Sequence, residues 1–378
     1  MTSFFFYGTL CHVPLLEAVL GCNDGALDDR IQAAHLPNHR VSWVQDEAYP
    51  MIEPVTGSAA SGILLSGVSD DEAERFSYYE GAFSYRLSEV TVEVDGAPHE
   101  AVCYYPTKHD QTRGASWVLD DWVRVWGEMA VGAARDVMAR RDRYDAETAA
   151  GLRPFLMARH WARAMARTDT SEPKIRYSSR DEDVTVTDRL PGYRGFFELA
   201  EFRYDHIRFD GSRSPTVTRE AFLAFDAALV LPYDPQRDEV LLIEQLRFGP
   251  LWRSDPHPWV FEPIAGLVDA GEDPADTARR EAVEEAGLEL GPLEPIAKVY
   301  ASPGYSTEFF HCFLAVTDLA GFEPDTNGVV SEHEDIRSHV MPFEQAMALV
   351  SEGEVNAGPL VMMLYWLASH RDRLRSAA

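Results

Sequence analysis

The sequence is poor in cysteine. Its 378 residues hold four, Cys11, Cys22, Cys103 and Cys312, with no Cys-x-x-Cys pair among them. That spacing fits neither a zinc site nor a disulfide framework, and it suits a reducing compartment. Basic side chains are also scarce: 34 Lys and Arg face 62 Asp and Glu, a formal charge of −28. Such a surface repels a nucleic acid backbone, which argues against DNA or RNA as a partner. Long apolar runs are missing, and none reaches the roughly 20 residues that span a bilayer. The start, Met1-Thr2-Ser3-Phe4-Phe5-Phe6, lacks the basic region of a signal peptide. Repeats and low-complexity tracts are absent too. The chain reads as soluble and cytoplasmic, with no membrane partner.

What is present is globular composition, 46% hydrophobic and 25% charged, in a length that implies two or three domains. The first 105 residues read as short strands. Residues 4–7 form one that runs into a glycine turn, and residues 87–94 and 100–104 alternate polar with apolar. Between them residues 69–79 read as a helix, capped by Ser69 and with Asp70, Asp71 and Glu72 in its first turn. Trp117, Trp122, Trp126, Met129, Ala133 and Val137 follow a helical period, read as core packing. A second helix is expected over 154–166, with Pro154 in its first turn. The polar stretch that follows is the best linker. The expected division is a first domain over 1–167, a linker over 168–183 and a second domain over 184–378. In the second domain strands are expected over 196–202, 206–209, 222–231 and 239–245. A helix is expected over 274–285 and a last one near 358–368.

The chemistry concentrates between Gly266 and Leu288. Five residues separate Gly266 from Glu272, and seven more lead to Arg280-Glu281, Glu284-Glu285 and Gly287-Leu288. A helix over 276–286 would end at Gly287, a residue suited to a left-handed cap. Glu281, Glu284 and Glu285 stand at i, i+3 and i+4, so their carboxylates share one face. Like charges so crowded are costly unless a cation lies among them, and hard oxygen donors select Mg²⁺ or Mn²⁺. Arg280 can pair with a carboxylate, Glu272 first, and hold it.

This spacing resembles the Nudix pattern, Gly-x5-Glu-x7-Arg-Glu-U-x-Glu-Glu-x-Gly-U, with Ala282 smaller than the usual aliphatic U. The flanks resemble the ADP-ribose pyrophosphatase branch of that family. They include Pro303, sixteen residues past Gly287, the segments 190–197, 240–247 and 261–266, and the acidic loop 331–337. The resemblance implies Mg²⁺-dependent hydrolysis of ADP-ribose to AMP and ribose 5-phosphate. It implies metal ligands at the Ala265 carbonyl, Glu281, Glu285 and Glu334, with Glu284 counted among the catalytic carboxylates. Glu332 would be the general base, and Glu308 a weaker polar candidate. Arg219 and Arg247 would hold phosphates, Phe196 would stack on adenine, and Glu262 would meet the terminal ribose. Gly266, Glu272, Arg280 and Gly287 would be structural. The family forms its site across a homodimer, with the region near 193–219 exchanged. Tyr305 stands where many relatives have glycine, which bears on the ribose pocket. Two alternatives remain: another nucleoside diphosphate derivative as substrate (a nucleotide sugar or NADH), or nucleotide sensing without turnover. The complete acidic set argues against sensing.

At the other end, Phe6-Tyr7-Gly8-Thr9-Leu10 sends a strand into a glycine turn whose N–H groups can hold a carboxylate. With Tyr79-Glu80-Gly81 and Tyr85-Arg86, it resembles the gamma-glutamyl cyclotransferase, AIG2-like, family. The resemblance implies that Tyr7, Gly8, Thr9 and Leu10 bind substrate. Glu80 would take a proton from an α-amine that closes a 5-oxoproline ring; binding without turnover is the alternative. Cys11-His12-Val13-Pro14 departs from the usual Lys-rich continuation. Taken together, the fold class expected is α+β: a small mixed β-barrel-like cyclotransferase fold, then a Nudix α/β/α sandwich.

Overall fold

The computed structural model describes residues 2–81, 85–107, 111–168, 173–323, 326–329 and 334–377. The chain divides into two compact units, Met1–Thr168 and Asp169–Ala378.

In the first unit β1 (Thr2–Phe6) leads through a tight turn to α1 (Val13–Leu20), which ends at Gly21 with φ 71°. Then come β2 (Ile31–Val44), β3 (Pro50–Val68), α2 (Asp70–Glu80), β4 (Tyr85–Val94), β5 (Ala97–Pro106) and β6 (Arg113–Ser116). The strand order is β3-β1-β5-β4-β2, and β2 pairs back to β3, so the sheet closes into a five-stranded barrel with β6 at its rim. Only the β1–β5 pairing is parallel among these. Phe4 and Phe6 pack with Phe76 under α2, while Phe5 faces the barrel interior with Ile52, Leu64 and Val92. The strands are longer than expected: β2 runs 14 residues and β3 runs 19. Asn38, at φ 56°, forms a bulge where the register slips, and its Oδ1 accepts from the Gly57 N–H at 3.0 Å. One bulged ribbon therefore stands where short strands were expected.

Helices α3 (Leu119–Trp122), α4 (Glu128–Met138) and α5 (Ala146–Thr168) complete the unit. A π-turn over Val123–Gly127 joins the first two. Helix α5 starts eight residues before Pro154, which lies inside it. Asp145 caps the earlier start, its Oδ1 accepting from Thr148 N–H at 2.8 Å, and buried Ala149 and Leu156 hold both sides of the proline against the core.

The second unit opens with a separate sheet of β7 (Val184–Arg194), β8 (Glu198–His206) and β9 (Val217–Leu223), in that order. Its main sheet is built from β10 (Asp226–Asp234), β11 (Glu239–Leu246), β12 (Trp259–Glu262), β13 (Ile264–Leu267), β14 (Leu293–Tyr300), β15 (Phe309–Val316), β16 (Thr326–Asn327) and β17 (Ile336–Pro342). Helices α6 (Phe248–Trp252), α7 (Pro274–Ala286), α8 (Phe343–Glu352) and α9 (Gly358–Ala377) complete it. The expected strand over 222–231 is broken at Ala224-Phe225, where the chain passes from β9 to β10. The main path is β14-β15-β10-β11-β17-β16, with β12 on β11 and β13 on β10. Leu229, Leu231, Tyr233, Val240 and Leu242 face α8 and α9. The alternate residues, Ala228, Val230, Leu241 and Ile243, are buried on the side of α7. This is an α/β/α sandwich.

Candidate active site

Helix α7 starts at Asp273, whose side chain accepts from Ala275 N–H, and ends at Gly287 with φ 61°. Its buried face presents Thr277, Ala278, Ala282 and Ala286, small residues that bring the helix close to β13. Glu285, 2% exposed, lies on that face, and its Oε2 accepts from the Ala265 N–H at 3.0 Å. Glu281, one turn earlier, lies over Gly266, where a Cβ would stand 1.8 Å from its Oε1.

Arg280 ties the acidic set together. Its Nη1 donates to Glu281 at 2.6 Å and to Glu284 at 3.0 Å, and its Nη2 donates to Glu272 and to the Leu267 carbonyl, each at 3.2 Å. Thr277 Oγ1 adds a 2.7 Å bond to Glu272; the sequence pattern did not single it out. Burial pushes the Glu281 carboxyl up to about 7, against the pull of Arg280 and with further push from Glu284 and Glu334. Burial likewise raises Glu285 well above the usual carboxylate range, Ala265 N–H opposing and Glu281 and Glu334 adding. Glu334 is therefore electrostatically close to both, while its Oε2 accepts from Val329 N–H at 3.0 Å.

The donor set here is all oxygen, and its ionised form is penalised by burial and by mutual repulsion. A hard divalent cation reverses both penalties, so these residues fit Mg²⁺ or Mn²⁺. Among the described residues no three His, Cys, Asp or Glu side chains already form a complete cage. Glu281 is turned to Arg280, and Glu334 to Val329. Glu332 lies outside the described residues.

Arg247 joins this cluster. Its Nε donates to Glu262 at 2.7 Å, and its charge acts on Glu285 and on Glu308, whose carboxyl burial raises. Arg219 lies exposed on β9, donating to the Thr218 carbonyl, and forms no ion pair with a carboxylate of α7 among the described residues. Phe196 stands between β7 and β8, 4.7 Å from the Phe197 ring and 5.4 Å from Phe225. Tyr305 is exposed, with its carbonyl accepting from Phe222 N–H.

In the first unit, Tyr7 is buried and its hydroxyl donates to the Tyr104 carbonyl at 3.0 Å. A Cβ on Gly8 would meet Pro50 Cγ at 2.9 Å, so the turn lies tight under the start of β3. Thr9 opens a short helical turn, and the Leu10 side chain packs in the core. Glu80 ends α2. Burial raises its carboxyl, and the Arg153 charge on α5 opposes that shift. Tyr7, Tyr85 and Tyr104 all feel the Glu80 charge, so the four groups lie near one another, with the Tyr85 and Tyr104 rings 6.5 Å apart.

Comparison with known proteins follows the two units. Residues 224–362 match the family described as NUDIX domain, and residues 4–124 that described as Gamma-glutamyl cyclotransferase, AIG2-like. The ADP-ribose pyrophosphatase of Escherichia coli K12 is 41% identical over 194 residues, 51% of this chain and 92% of that protein. That of Haemophilus influenzae is 37% identical over 198 residues, 52% and 91% of the two chains. The GDP-mannose pyrophosphatase of Yersinia enterocolitica is 30% identical over 184 residues, 47% and 91%.

Proposed function

Because the chain belongs to the Nudix family, through the half that matches ADP-ribose pyrophosphatases, we propose that it hydrolyses the pyrophosphate of ADP-ribose to AMP and ribose 5-phosphate. The observation that carries this reading is the pair of buried carboxyls, Glu281 and Glu285, set against the Ala265-Gly266 backbone. A divalent ion, Mg²⁺ or Mn²⁺, held by Glu281, Glu285, Glu334 and the Ala265 carbonyl would neutralise the diphosphate and acidify the attacking water.

The chain's own residues do the rest. Arg280 fixes Glu272, Glu281 and Glu284 in register, which spares the site their reorganisation during the reaction. Arg247 exchanges its contact with Glu262 for a phosphate oxygen. Phe196 offers an aromatic face to adenine, and Glu332 accepts the proton of the attacking water. Arg219 serves a second subunit's site. Its exposure on β9 and the exposed Val184, Val186, Tyr193 and Leu199 of the same small sheet support a homodimer through this region. No described helix is long and apolar enough to cross a membrane, and the net charge disfavours nucleic acid; we place the protein in the cytoplasm.

The test is direct: incubate the full chain with Mg²⁺ and, separately, ADP-ribose, NADH, ADP-glucose and GDP-mannose, and identify products. AMP with ribose 5-phosphate is expected from the first. ADP-ribose left intact while another diphosphate is consumed would overturn the substrate.

The Glu80 cluster favours a second activity. Glu80 takes a proton from the α-ammonium of a γ-glutamyl compound. The freed amine nitrogen bonds to the γ-carbonyl carbon and sheds a second proton as the C–N bond to the leaving amine breaks; that amine takes up both protons and departs as an ammonium, giving 5-oxoproline. Release of 5-oxoproline from a γ-glutamyl dipeptide, lost in Glu80→Gln, tests this.

A further inference from the structure

Helix α5 lies beyond residues 4–124, the part of the first unit that matches the cyclotransferase family. It nevertheless reaches the Glu80 cluster. Its first turn packs beside the end of α2, where a Cβ on Gly81 would stand 3.8 Å from the Ala146 Cβ. Two turns further on, the Arg153 guanidinium carbon sits 3.8 Å from the centre of the Tyr79 ring. Tyr79 is the residue directly before Glu80. A guanidinium over an aromatic face is held flat and oriented, with its fork of N–H donors aimed along the ring plane.

The Arg153 charge acts on Tyr79, Glu80 and Tyr85 alike, so it lies at the edge that these three share. Among the described residues it is the one cation that acts on Glu80. The rings around this edge are aromatic and neutral. Tyr49 lies beside Tyr85 and accepts from Gln111 Nε2 at 3.2 Å, Pro50 leans on Gly8, and the Tyr85 and Tyr104 rings are 6.5 Å apart. A cluster with one carboxyl, one adjoining cation and otherwise uncharged rings suits a small zwitterion whose amine and carboxylate branch from one carbon.

We propose that Arg153 is the carboxylate anchor of this cluster, binding the α-carboxylate of a γ-glutamyl compound while its α-amine faces Glu80. This rests on the second activity above. A planar bidentate contact would fix the α-carbon and so aim the amine at the γ-carbonyl. Arg153 is then a substrate-binding residue contributed by a helix outside the part of the unit that matches the family.

The experiment uses the full chain and two probes, a γ-glutamyl dipeptide and the same dipeptide with the glutamyl α-carboxylate converted to a carboxamide. The wild-type protein is expected to prefer the carboxylate by about tenfold or more in kcat/KM. Arg153→Gln should raise KM for the carboxylate probe by about the same factor, leave KM for the carboxamide unchanged and so abolish the preference. Arg153→Lys should retain part of it. If the wild-type protein binds without turnover, Kd measured by calorimetry replaces KM in the same comparison. A wild-type protein indifferent to the carboxamide overturns the anchor without recourse to any variant, as does an Arg153→Gln protein that keeps the preference. A wild-type protein that neither converts nor binds either probe, nor binds 5-oxoproline, overturns the second activity and the anchor with it.

Discussion

Gly266 leaves open the space that the Glu281 carboxylate fills: a Cβ there would stand 1.8 Å from Oε1 and 1.9 Å from Cδ. The atoms displaced by a methyl group are the far end of a flexible side chain, not backbone. Gly266→Ala should therefore fold, with the calorimetric transition of the second unit within a few degrees of wild type. Its turnover of ADP-ribose should fall by about 100-fold, because a shift of roughly 1 Å in a positioned group costs that much. Calorimetry and initial rates on one preparation check both halves. Normal rates would mean that Glu281 need not lie against β13.

Glu285 separates stability from activity in another way. Its carboxyl is buried, and its Oε2 needs only to accept from Ala265 N–H. The amide oxygen of Glu285→Gln can do the same, and the change removes a charge that burial disfavours. The variant should be as stable as wild type or more so, while Mg²⁺ uptake by isothermal titration and turnover of ADP-ribose both fall by about 100-fold or more. Loss of stability together with activity would point to a packing role for this carboxylate.

These two residues were legible because fixed spacing carries them. A helix period sets Glu281 and Glu285 on one face, and Gly287 stops the helix wherever it is read. What sequence could not convey is approach through space. Arg153 looks like an ordinary helical arginine until α5 folds beside α2, and its start at Ala146 depends on a cap at Asp145 and on Ala149 and Leu156 packing around an interior proline. The β2–β3 ribbon was hidden for a related reason. Asn38 and Gly57 stand nineteen residues apart, yet they bond to each other across a bulge and let the strands continue. Arg219 enters the site by resemblance alone, and within one chain it pairs with no carboxylate of α7 among the described residues.

The last helix is clamped by charge as well as by its leucines. Asp238, at φ 61° in the β10–β11 turn, accepts from Arg371 Nε at 2.7 Å and from the Tyr233 hydroxyl at 2.8 Å. The Arg371 guanidinium carbon also lies 4.6 Å from the centre of the Phe343 ring. Arg371→Ala would leave the largely shielded Asp238 carboxylate with the Tyr233 hydroxyl and, at 3.6 Å, Arg375, at a cost of about 1–2 kcal/mol. Because the chain has two units, a single melting point is a poor measure. Hydrogen exchange should show faster exchange in α9 and the β10–β11 turn, with the barrel amides unchanged.

A pH effect is expected at the other unit, from Arg30 and Glu72. Arg30 Nη1 donates to Glu72 Oε1 at 2.7 Å and Nη2 to Oε2 at 2.9 Å, while Glu72 also accepts from Ser69 N–H at 2.8 Å to close the cap of α2. These bonds, Arg30 first and against some burial, lower the Glu72 carboxyl from an ordinary 4.5 to about 2. A carboxylate lowered on folding binds its proton more readily in the unfolded chain. Its stabilisation is thus fully present above 4.5 and drains away as the pH falls toward about 2. The pair is partly exposed, and solvent screening holds its worth to the order of 1 kcal/mol. Wild type and Glu72→Gln should therefore differ by a constant amount between pH 5 and 7, on the order of 1 kcal/mol, and converge as the pH approaches 2. Denaturant unfolding followed by a probe in the barrel, with 0.15 M salt throughout, reads that difference directly. A gap that stays constant down to pH 2 would mean that the loss in the variant comes from α2's cap geometry rather than from the charge on Glu72.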